Sequence, residues 1–432
     1  MYQTVRKWHQ MKNKLIMNKN KEKYQNKKIA FVAHEFGLFR GHGGIAAYLN
    51  QICTWLVLNT NYEIYVLVAG EYQVSEELSS NQKFHIYDLR NGDICFKRNR
   101  VLHLLKEIRP DYVECTDFLA LGLYYFMSPD SQKSVCITNN HTATRECWEW
   151  STHKDLSWAD FTTQNMAAQE RIQIQISDYN IAPSRFLGKY VEKIYQLENP
   201  VLFFFNPFFQ MIKTKEILYQ EVSKVINLEP FKRTYNVCLI SRFEGRKCQE
   251  RLINSLITLR EEKFCVNGLL AGNTSILPDT QQDYRQFVMD TIPQKFKPYI
   301  KFFDFVKGKE QDKFFAVADL VVMPSTFENC PVAMIETVLR GIPVMGSKYS
   351  GLADYCEPNM LFAPFVKNDL TNKMRTFLEL SKVQQIEIWK QQHKKLQILL
   401  NPKNSILPRF NLVKPVQKTN RKILNLRRRY CD

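Results

Sequence analysis

The sequence predicts an α/β protein built from two Rossmann-like, doubly wound domains that face a cleft. Three observations support this prediction. A chain of 432 residues suits two domains better than one, strand-like runs alternate with helical patterns, and the alternation occurs in two successive series. A strand, a crossover helix and a further strand are typical of a parallel sheet covered on both faces. Because ligands of such sheets bind beyond the carboxyl ends of the strands, the site is expected in the loops there.

The first series of predicted elements begins with a buried strand at Ile29–His34, which a glycine-containing loop and a helix at Ile45–Leu58 follow. A second helix is predicted at Val101–Ile108, where apolar residues recur at helical spacing. The other strands predicted in this series are Ile64–Val68, Tyr112–Cys115, Val135–Thr138 and Asn180–Ala182. The stretch Asn199–Ile226 interrupts the alternation and is interpreted as the link to the second series.

The second series follows this link. Its predicted strands are Asn236–Ser241, Phe264–Ala271, Tyr299–Phe303, Leu320–Met323 and Pro343–Met345, and its predicted helices include Cys248–Glu261 and Val332–Leu339. We therefore expect a basic leader at 1–28, an N-terminal Rossmann-like domain at 29–205 and a C-terminal one at 206–384. A helical segment at 385–432 is expected to return to the N-terminal domain and to end in a basic tail.

Composition restricts the class of protein. A hydrophobic share of 45% with 24% charged residues is typical of a globular chain. No run of about 18 apolar residues is present, and the lysine-rich N-terminus lacks the apolar core of a secretory signal, so a cytoplasmic protein is expected. The 11 cysteines are scattered and form no Cys-x-x-Cys pair, which favours reduced thiols over disulfides or a zinc site.

The net charge of +17 is partly concentrated in the two terminal segments. Nucleic acid, an anionic membrane surface and the phosphates of a substrate are three partners that a basic protein attracts. Solvated basic tails with no partner are equally compatible with this charge. Because much of the excess lies in tails rather than on a predicted face with interleaved aromatic residues, no nucleic acid is expected as a partner.

The most informative segment of the sequence runs from Ser325 to Glu336. It follows the predicted strand Leu320–Met323, and Pro331 is expected at the first position of the next helix. The free amides of such a helix start, together with the helix dipole, form an anion site suited to a diphosphate. Glu328 precedes the helix and Glu336 lies in its second turn, so the two carboxylates are expected to bind opposite ends of a ligand that offers hydroxyl groups.

This segment resembles the Glu-x7-Glu motif of glycosyltransferase family 4, whose members are retaining enzymes of the GT-B fold. The chain continues from Glu336 through Gly341 to Pro343 and Val344, as that family does. The resemblance implies that Glu336 binds the ribose hydroxyls of a nucleotide sugar and that Glu328 contacts the transferred sugar. Asn329, Cys330, Pro331 and Val332, at the loop end and helix start, are expected to contribute to donor binding.

A second segment, from Ser241 to Lys247, resembles the Gly-Arg-x4-Lys segment of the same family, with Ser241 in place of the usual glycine. The resemblance assigns Arg242 and Lys247 to the donor diphosphate. Negative charge builds on the departing nucleoside diphosphate as the glycosidic bond breaks, so fixed cations there stabilise the transition state more than the ground state. Glu328, Arg242 and Lys247 are accordingly expected to be catalytic.

Three weaker matches complete the candidate site. Gly43 and Gly44 resemble the glycine loop that lies under the donor phosphates and the acceptor in the family, and glycine allows a close backbone approach. His141 resembles the histidine that faces the donor sugar, and a catalytic positioning role is expected for it. Gly272 resembles a glycine turn on the donor side. The resemblance covers about residues 29–364 and is stronger in the second half.

The sequence as a whole predicts a glycosyltransferase that transfers a hexose-type sugar from a nucleotide-sugar donor to a glycan or lipid-linked acceptor. Polysaccharide or glycolipid synthesis at the cell surface is the expected setting. No Asp-x-Asp pair is present, so neither a metal nor another cofactor is expected. The cations and helix amides are expected to bind the diphosphate in place of a metal. A non-catalytic nucleotide-sugar-binding module and a nucleotide-sugar epimerase are alternatives. Peripheral attachment to an anionic inner membrane surface is a further expectation.

Overall fold

The computed structural model describes residues 26–37, 43–152, 154–209, 212–222, 234–276, 281–304, 306 and 308–415. Most of the leader and of the basic tail therefore lie outside the described residues. Within the described ranges the chain forms two α/β domains, each with its own parallel sheet. This arrangement confirms the predicted fold class.

The N-terminal sheet has seven parallel strands in the order β3-β2-β1-β4-β5-β6-β7. They are β1 (Lys28–Ala33), β2 (Glu63–Val68), β3 (Phe84–Asp88), β4 (Tyr112–Thr116), β5 (Val135–Asn139), β6 (Tyr179–Ala182) and β7 (Leu202–Phe203). The helices between them are α1 (Gly44–Asn59), α2 (Glu76–Ser79), α3 (Ile94–Ile108), α4 (Leu123–Met127), α5 (Thr144–Thr152), α6 (Phe161–Ile176) and α7 (Arg185–Tyr195). Separate apolar clusters containing Phe31 and Val113 cover the two faces of the sheet, as expected for a parallel sheet buried on both sides.

The C-terminal sheet has six parallel strands in the order β10-β9-β8-β11-β12-β13. They are β8 (Tyr235–Ile240), β9 (Val266–Ala271), β10 (Ile300–Phe303), β11 (Leu320–Met323), β12 (Val344–Ser347) and β13 (Leu361–Phe362). The helices are α8 (Lys215–Val222), α9 (Gln249–Glu261), α10 (Tyr284–Asp290), α11 (Lys309–Val317), α12 (Val332–Leu339) and α13 (Asp369–Glu379). The strand order reverses between β8 and β11, which places a crevice at their carboxyl ends.

The last part of the chain connects the two domains. Helix α14 (Lys382–Leu400) packs on the C-terminal domain, where the Gln392 side chain bonds both backbone groups of Val344 at 2.8 and 3.0 Å. Helix α15 (Pro402–Ser405) and a short 3₁₀ segment, Leu407–Asn411, then reach the N-terminal domain. Ile406 and Phe410 are fully buried there. The crossing to the N-terminal domain thus occurs after residue 400, later than the expected boundary at 384/385.

The strands that sequence patterns did not predict lie toward the edges of the sheets. β3, β7 and β13 are short or carry polar residues, and β7 and β13 have only two residues each. An edge strand is supported by one neighbour and needs less apolar sequence, so its pattern is weak. None of the described helices combines the length and the apolar character needed to cross a membrane.

Candidate active site

The crevice of the C-terminal domain is lined by the two loops that follow β8 and β11. These loops contact each other directly, since the Thr326 amide donates to the Arg246 carbonyl at 3.3 Å. The Sγ of Cys248 lies 3.3 Å from the Thr326 hydroxyl. Cys248 adopts φ of 51°, a left-handed conformation that costs a non-glycine residue free energy. The chain thus turns sharply after the 3₁₀ segment Gly245–Lys247 and presents its basic residues to the loop after β11.

The centre of this crevice is an ion pair between Lys247 and Glu328, whose side chains are almost fully buried. Arg246 adds a second cation, with Nη1 3.5 Å from Glu328 Oε2. Burial opposes the charge of Glu328, but attraction by Lys247 and Arg246 outweighs it and lowers the pKa of this carboxyl. Burial, then repulsion by Arg246, lowers the pKa of Lys247 against the attraction of Glu328. The structure therefore brings Lys247 and Glu328 together, although they are 81 residues apart.

Arg242 and Arg246 share a second carboxylate in the same loop. Arg246 Nη2 lies 2.9 Å from Glu244 Oε1, and Arg242 Nη1 lies 3.6 Å from Glu244 Oε2. The Arg242 side chain is 60% exposed, so it does not join the buried pair. Arg242 was expected at the donor diphosphate, whereas Arg246 was not considered. The position of Arg246 next to Lys247 in the sequence could have indicated it. Three cations and two carboxylates thus lie around one crevice.

The loop after β11 ends at the start of α12. Pro331 is the N-cap residue of this helix, with φ of −69° and ψ of 112°, rather than its first helical residue, so the expected N1 position was wrong by one residue. Val332 begins the helix, and its amide and that of Ala333 belong to the free helix start. Cys330 is buried, and burial raises the pKa of its thiol. This thiol is therefore neutral and belongs to the packing of the loop.

Glu336 lies on α12, on the side that faces α11. Its Oε2 accepts from Gln311 Nε2 at 3.3 Å, and Arg340 Nη1 lies 3.9 Å away. Gln311 belongs to α11, which follows β10. Glu328 and Glu336 therefore have different neighbours along the crevice.

Gly272 forms the turn after β9 on the same edge of the sheet. Its φ is +155°, and a Cβ on it would lie 1.8 Å from the Ser241 carbonyl oxygen. Only glycine fits such a close approach of two backbones. The Gly272 carbonyl accepts from Arg285 Nη2 at 2.8 Å, and Arg285 also pairs with Asp304 after β10 at 2.6 Å. This edge of the crevice is thus held by an arginine that joins the ends of two strands.

The glycine loop of the N-terminal domain holds a carboxylate of its own. Glu35 accepts from the amide of Gly43 at 3.1 Å and from the amide of Ala46 at 3.2 Å. A Cβ on Gly43 would lie 2.5 Å from Glu35 Oε1, whereas one on Gly44 would meet no atom within 4 Å. Of the two glycines to which a donor-binding role was assigned, Gly43 therefore has its amide bonded to Glu35 in this structure.

His141 follows β5 and is buried in the N-terminal domain. Its amide donates to Asp117 at 3.0 Å, and its ring centroid lies 5.2 Å from that of Tyr48. Burial and then the charge of Arg409 lower the pKa of His141 to about 3, so the ring is neutral at physiological pH. Its Nε2 finds no hydrogen-bond partner in the part of the chain that the structure describes. A buried polar atom without a partner costs about 1–3 kcal/mol, which a ligand hydroxyl would offset.

Three buried carboxyls in the packing of β4, α5 and α6 were missed by sequence reasoning. Glu170 accepts from the amides of Leu119 and Thr144 at 2.8 and 2.7 Å. Burial raises the pKa of Glu170 to about 7, and the pKa values of Asp117 and Glu146 are also raised, chiefly by burial. These residues belong to different elements and form no short motif, so no signal in the sequence links them.

The two domains meet at the loop after β11. Phe327 is 2% exposed and stacks on Trp150 with ring centroids 4.9 Å apart, with Phe186 and Tyr190 at 5.5 and 5.6 Å. All three partners belong to the N-terminal domain. Phe327 precedes Glu328 in the chain, so this aromatic contact fixes the loop that carries Glu328 against the other domain.

Two polar contacts support the same junction. The Asn329 side chain donates to the Thr142 hydroxyl, next to His141, and its buried Oδ1 has no partner among the described residues. Arg185 Nη1 lies 3.0 Å from Asp354 Oδ1 across the domains. The loop carrying His141 is thus adjacent to the loop carrying Glu328. Within the described residues, no group of three or more His, Cys, Asp or Glu side chains forms a metal site.

Two parallel-sheet domains that meet at the switch point of the second sheet define the GT-B fold of glycosyltransferases. Residues 234–379 match the family Glycosyl transferases group 1. The matched region contains Arg242, Lys247, Glu328 and Glu336. The C-terminal domain is therefore a glycosyltransferase domain, and the predicted enzyme class, a glycosyltransferase, is confirmed.

Solved structures share the fold over nearly the whole chain. Sucrose-phosphate synthase from Thermosynechococcus elongatus is 14% identical, with 94% of this chain and 98% of that chain covered and a TM-score of 0.64. WaaG, a glycosyltransferase involved in lipopolysaccharide biosynthesis, is 15% identical, with 89% and 98% covered and a TM-score of 0.61. HepE from Anabaena in complex with UDP is 16% identical, with 88% and 95% covered and a TM-score of 0.59.

One protein relative is an uncharacterized 41.2 kDa protein in the cps region of Klebsiella pneumoniae, 23% identical over 167 residues. The alignment covers 39% of this chain and only 40% of that relative. The similarity is therefore confined to part of both proteins.

Proposed function

We propose that this chain transfers a hexose-type sugar from a nucleotide-sugar donor to a glycan or lipid-linked acceptor, with retention of anomeric configuration and without a metal ion. The observation that carries the proposal is the buried Lys247–Glu328 pair, with Arg246 beside it, at the switch point of the C-terminal sheet. A buried ion pair is not needed to stabilise a fold, since apolar residues often serve as well. Its place in the ligand crevice therefore favours a functional role.

The cations of the crevice are suited to a diphosphate. Arg242, Arg246 and Lys247 carry three positive charges against the two negative charges of Glu244 and Glu328. A nucleoside diphosphate entering this crevice would find Arg242 exposed and available to turn toward it. Each charge-assisted hydrogen bond contributes about 1.5–3 kcal/mol net. These bonds strengthen as the leaving diphosphate gains charge, so they stabilise the transition state more than the ground state and raise kcat.

The two glutamates and the histidine complete the proposed site. Glu336, beside Gln311 of α11, accepts hydrogen bonds from the ribose hydroxyls, and Glu328, paired with Lys247, accepts them from hydroxyls of the transferred sugar. His141 reaches the sugar as a neutral ring, because its low pKa excludes the imidazolium form at pH 7. Its unpartnered Nε2 is the atom that a sugar hydroxyl would satisfy.

The proposed reaction proceeds by attack on the face from which the nucleotide leaves. The acceptor oxygen forms the new bond to the anomeric carbon while the bond to the β-phosphate oxygen breaks, and that oxygen takes the acceptor proton. The proposed course requires no protein nucleophile. Domain contact at Phe327 would exclude water, which otherwise hydrolyses the donor.

Similar proteins indicate which donors to examine first and in which biosynthetic process the proposed enzyme acts. HepE structures contain UDP, UDP and glucose, or UDP-glucose, so uridine nucleotide sugars are the first donors to examine. WaaG acts in lipopolysaccharide biosynthesis and one relative is a protein of a cps region, which supports a role in cell-surface polysaccharide or glycolipid synthesis.

A cytoplasmic location with peripheral attachment to an anionic membrane surface is part of the proposal. The basic tails that motivate it lie outside the described residues, and each basic residue near such a surface contributes about 1 kcal/mol. Sedimentation with liposomes tests it. Binding to anionic vesicles that neutral vesicles do not show is expected, and equal binding to both would refute attachment by charge.

A donor panel tests the activity. Purified protein is incubated with several nucleotide sugars, with and without a chelator, and released nucleoside diphosphate is measured. Release that the chelator leaves unchanged is expected. Tight binding of a nucleotide sugar without release from any donor would instead identify a non-catalytic binding module, and conversion of the sugar without release would identify an epimerase.

A further inference from the structure

A fully buried arginine from the C-terminal segment reaches the interior of the N-terminal domain. Arg409 is 0% exposed, and its Nη1 lies 3.4 Å from Glu114 Oε1 on β4. The same nitrogen donates to the hydroxyl of Tyr48 on α1, and Nη2 donates to the Phe204 carbonyl at 3.1 Å. Burying a charged arginine is costly unless it is paired and hydrogen-bonded. The site therefore meets that requirement with partners from three separate parts of the chain.

Glu114 is the centre of this network. Its Oε1 accepts from Tyr48, from Arg409 and from Asn139 Nδ2, the last at 2.8 Å. Glu114 is 2% exposed, and its Oε2 has no hydrogen-bond partner in the described ranges. Glu114 and Arg409 thus compensate each other's charge in an almost fully buried region.

Tyr48 connects the network to His141. The Tyr48 ring centroid lies 5.2 Å from the Arg409 guanidinium carbon and 5.2 Å from the His141 ring centroid. Asn139 and His141 belong to the same segment at the end of β5. The charged and titratable groups around His141 are therefore Tyr48, Arg409, Glu114 and, through the His141 backbone amide, Asp117.

We propose that Arg409, Glu114 and Tyr48 form a positioning network for His141, so that the C-terminal segment completes the active site by placing a permanent positive charge behind that ring. This inference rests on the proposed function of His141 at the donor sugar. Tyr48 supports the ring by direct contact, and Arg409 fixes Tyr48 and disfavours protonation of the imidazole. Arg409 is 268 residues from His141 in the sequence, and no short motif joins them.

The network keeps His141 a hydrogen-bonding group rather than an acid. Protonation of a ring close to a buried arginine adds a second buried positive charge, which the low local dielectric penalises. Removing Arg409 leaves Glu114 unpaired and favours the imidazolium form. The acid limb of the rate profile therefore moves to higher pH when the charge at position 409 is lost.

The experiment compares Arg409→Gln, Arg409→Lys and the unchanged protein in donor turnover as a function of pH. Arg409→Gln is expected to lower kcat about tenfold or more, to change the donor KM less than about threefold, and to shift the acid limb upward by about one pH unit. Arg409→Lys keeps the charge and should retain an acid limb close to that of the unchanged protein. A titration of His141 followed by NMR, with His141→Gln for assignment, gives a readout independent of turnover.

Arg98→Gln is the matched control, because Arg98 is 1% exposed, lies in the same domain and is bonded to Leu119 rather than to the network. It should lower the midpoint of thermal unfolding and leave the acid limb in place. An unchanged His141 titration in Arg409→Gln, or an equal shift in Arg98→Gln, would overturn the inference. If the unchanged protein releases no diphosphate, the proposed function fails instead, and the NMR titration still decides whether the network acts on His141.

Discussion

The two domains hold their charged residues in different ways. In the C-terminal domain, Lys247, Arg246 and Glu328 pair at strand ends, and Arg242 remains largely exposed. In the N-terminal domain, Glu114 and Arg409 are sealed inside the fold. An exposed or shared cation can exchange partners when a ligand arrives, whereas a sealed pair cannot. In our proposal, the first region binds the ligand and the second controls the ionisation of His141.

The largest effect is expected from Lys247→Ala in the C-terminal crevice. It removes the main cation proposed for the diphosphate and leaves Glu328 buried without its partner, so kcat/KM should fall about 10²–10³-fold. Steady-state release of nucleoside diphosphate measures it. Lys215→Ala is the control, since Lys215 pairs with Asp319 at 3.2 Å in the same domain but outside the crevice. Equal losses of kcat/KM in the two variants would contradict a specific role of Lys247 in the crevice.

A smaller effect is expected from Glu336→Ala. Loss of hydrogen bonds from a carboxylate to the ribose should weaken donor binding about 10–100-fold and change kcat little, because these bonds are present in both ground and transition states. Titration calorimetry with the nucleoside diphosphate measures the affinity. Glu357→Ala, which breaks the pair with Lys395, serves as control. Unaltered affinity in Glu336→Ala would contradict the ribose assignment.

Phe327→Ala addresses the contact between the regions. Loss of a buried phenylalanine costs about 3–5 kcal/mol when the site cannot collapse. Here we expect a lower stability and a kcat reduced about tenfold, because the loop that carries Glu328 loses its anchor in the N-terminal domain. Chemical denaturation and turnover are both measured. Phe287→Ala, at a 41% exposed position, is the control. A normal kcat in Phe327→Ala would show that the position of Glu328 does not depend on the aromatic contact.

The smallest effect concerns Glu170 and pH. Its pKa of about 7 is above the ordinary value, so the folded state retains a proton that the unfolded chain has lost, and stability falls as pH rises. As pH rises from 6 to 8, the contribution of this group to the free energy of unfolding should fall by about 1 kcal/mol. Glu170→Gln should flatten the slope in denaturant titrations at the two pH values, whereas Glu77→Gln at an exposed position should not. A slope that Glu170→Gln leaves unaltered would show that the carboxyl is ionised in the fold.

Much of the C-terminal site was predictable because its residues lie in short frames next to regular elements. The predicted strand Leu320–Met323 and helix Val332–Leu339 agree with the observed bounds, and the loop between them carries Glu328. Lys247 was indicated by a short segment that follows a predicted strand and resembles a segment of the family. Arg242 was expected in the cluster but lies at its exposed edge, because side-chain packing rather than spacing decides which arginine reaches Glu328.

The N-terminal site was less predictable, because its groups come from distant segments. Gly43 was expected to bind the donor, and its amide is bonded to Glu35, a partner that no glycine pattern indicates. The carboxyls of Asp117, Glu146 and Glu170 share a buried region only after β4, α5 and α6 have packed.

The sequence by itself determined the alternation of strands and helices, the division into two series and the frame around Glu328 and Glu336. These features depend on residues within a few positions of one another, where the period of the backbone fixes which side chains share a face. Only the tertiary structure decided that Arg409 meets Glu114, 295 residues earlier, and that Phe327 enters the other domain. Burial and charge compensation arise when distant segments pack against each other, and no local sequence pattern indicates which segments will do so.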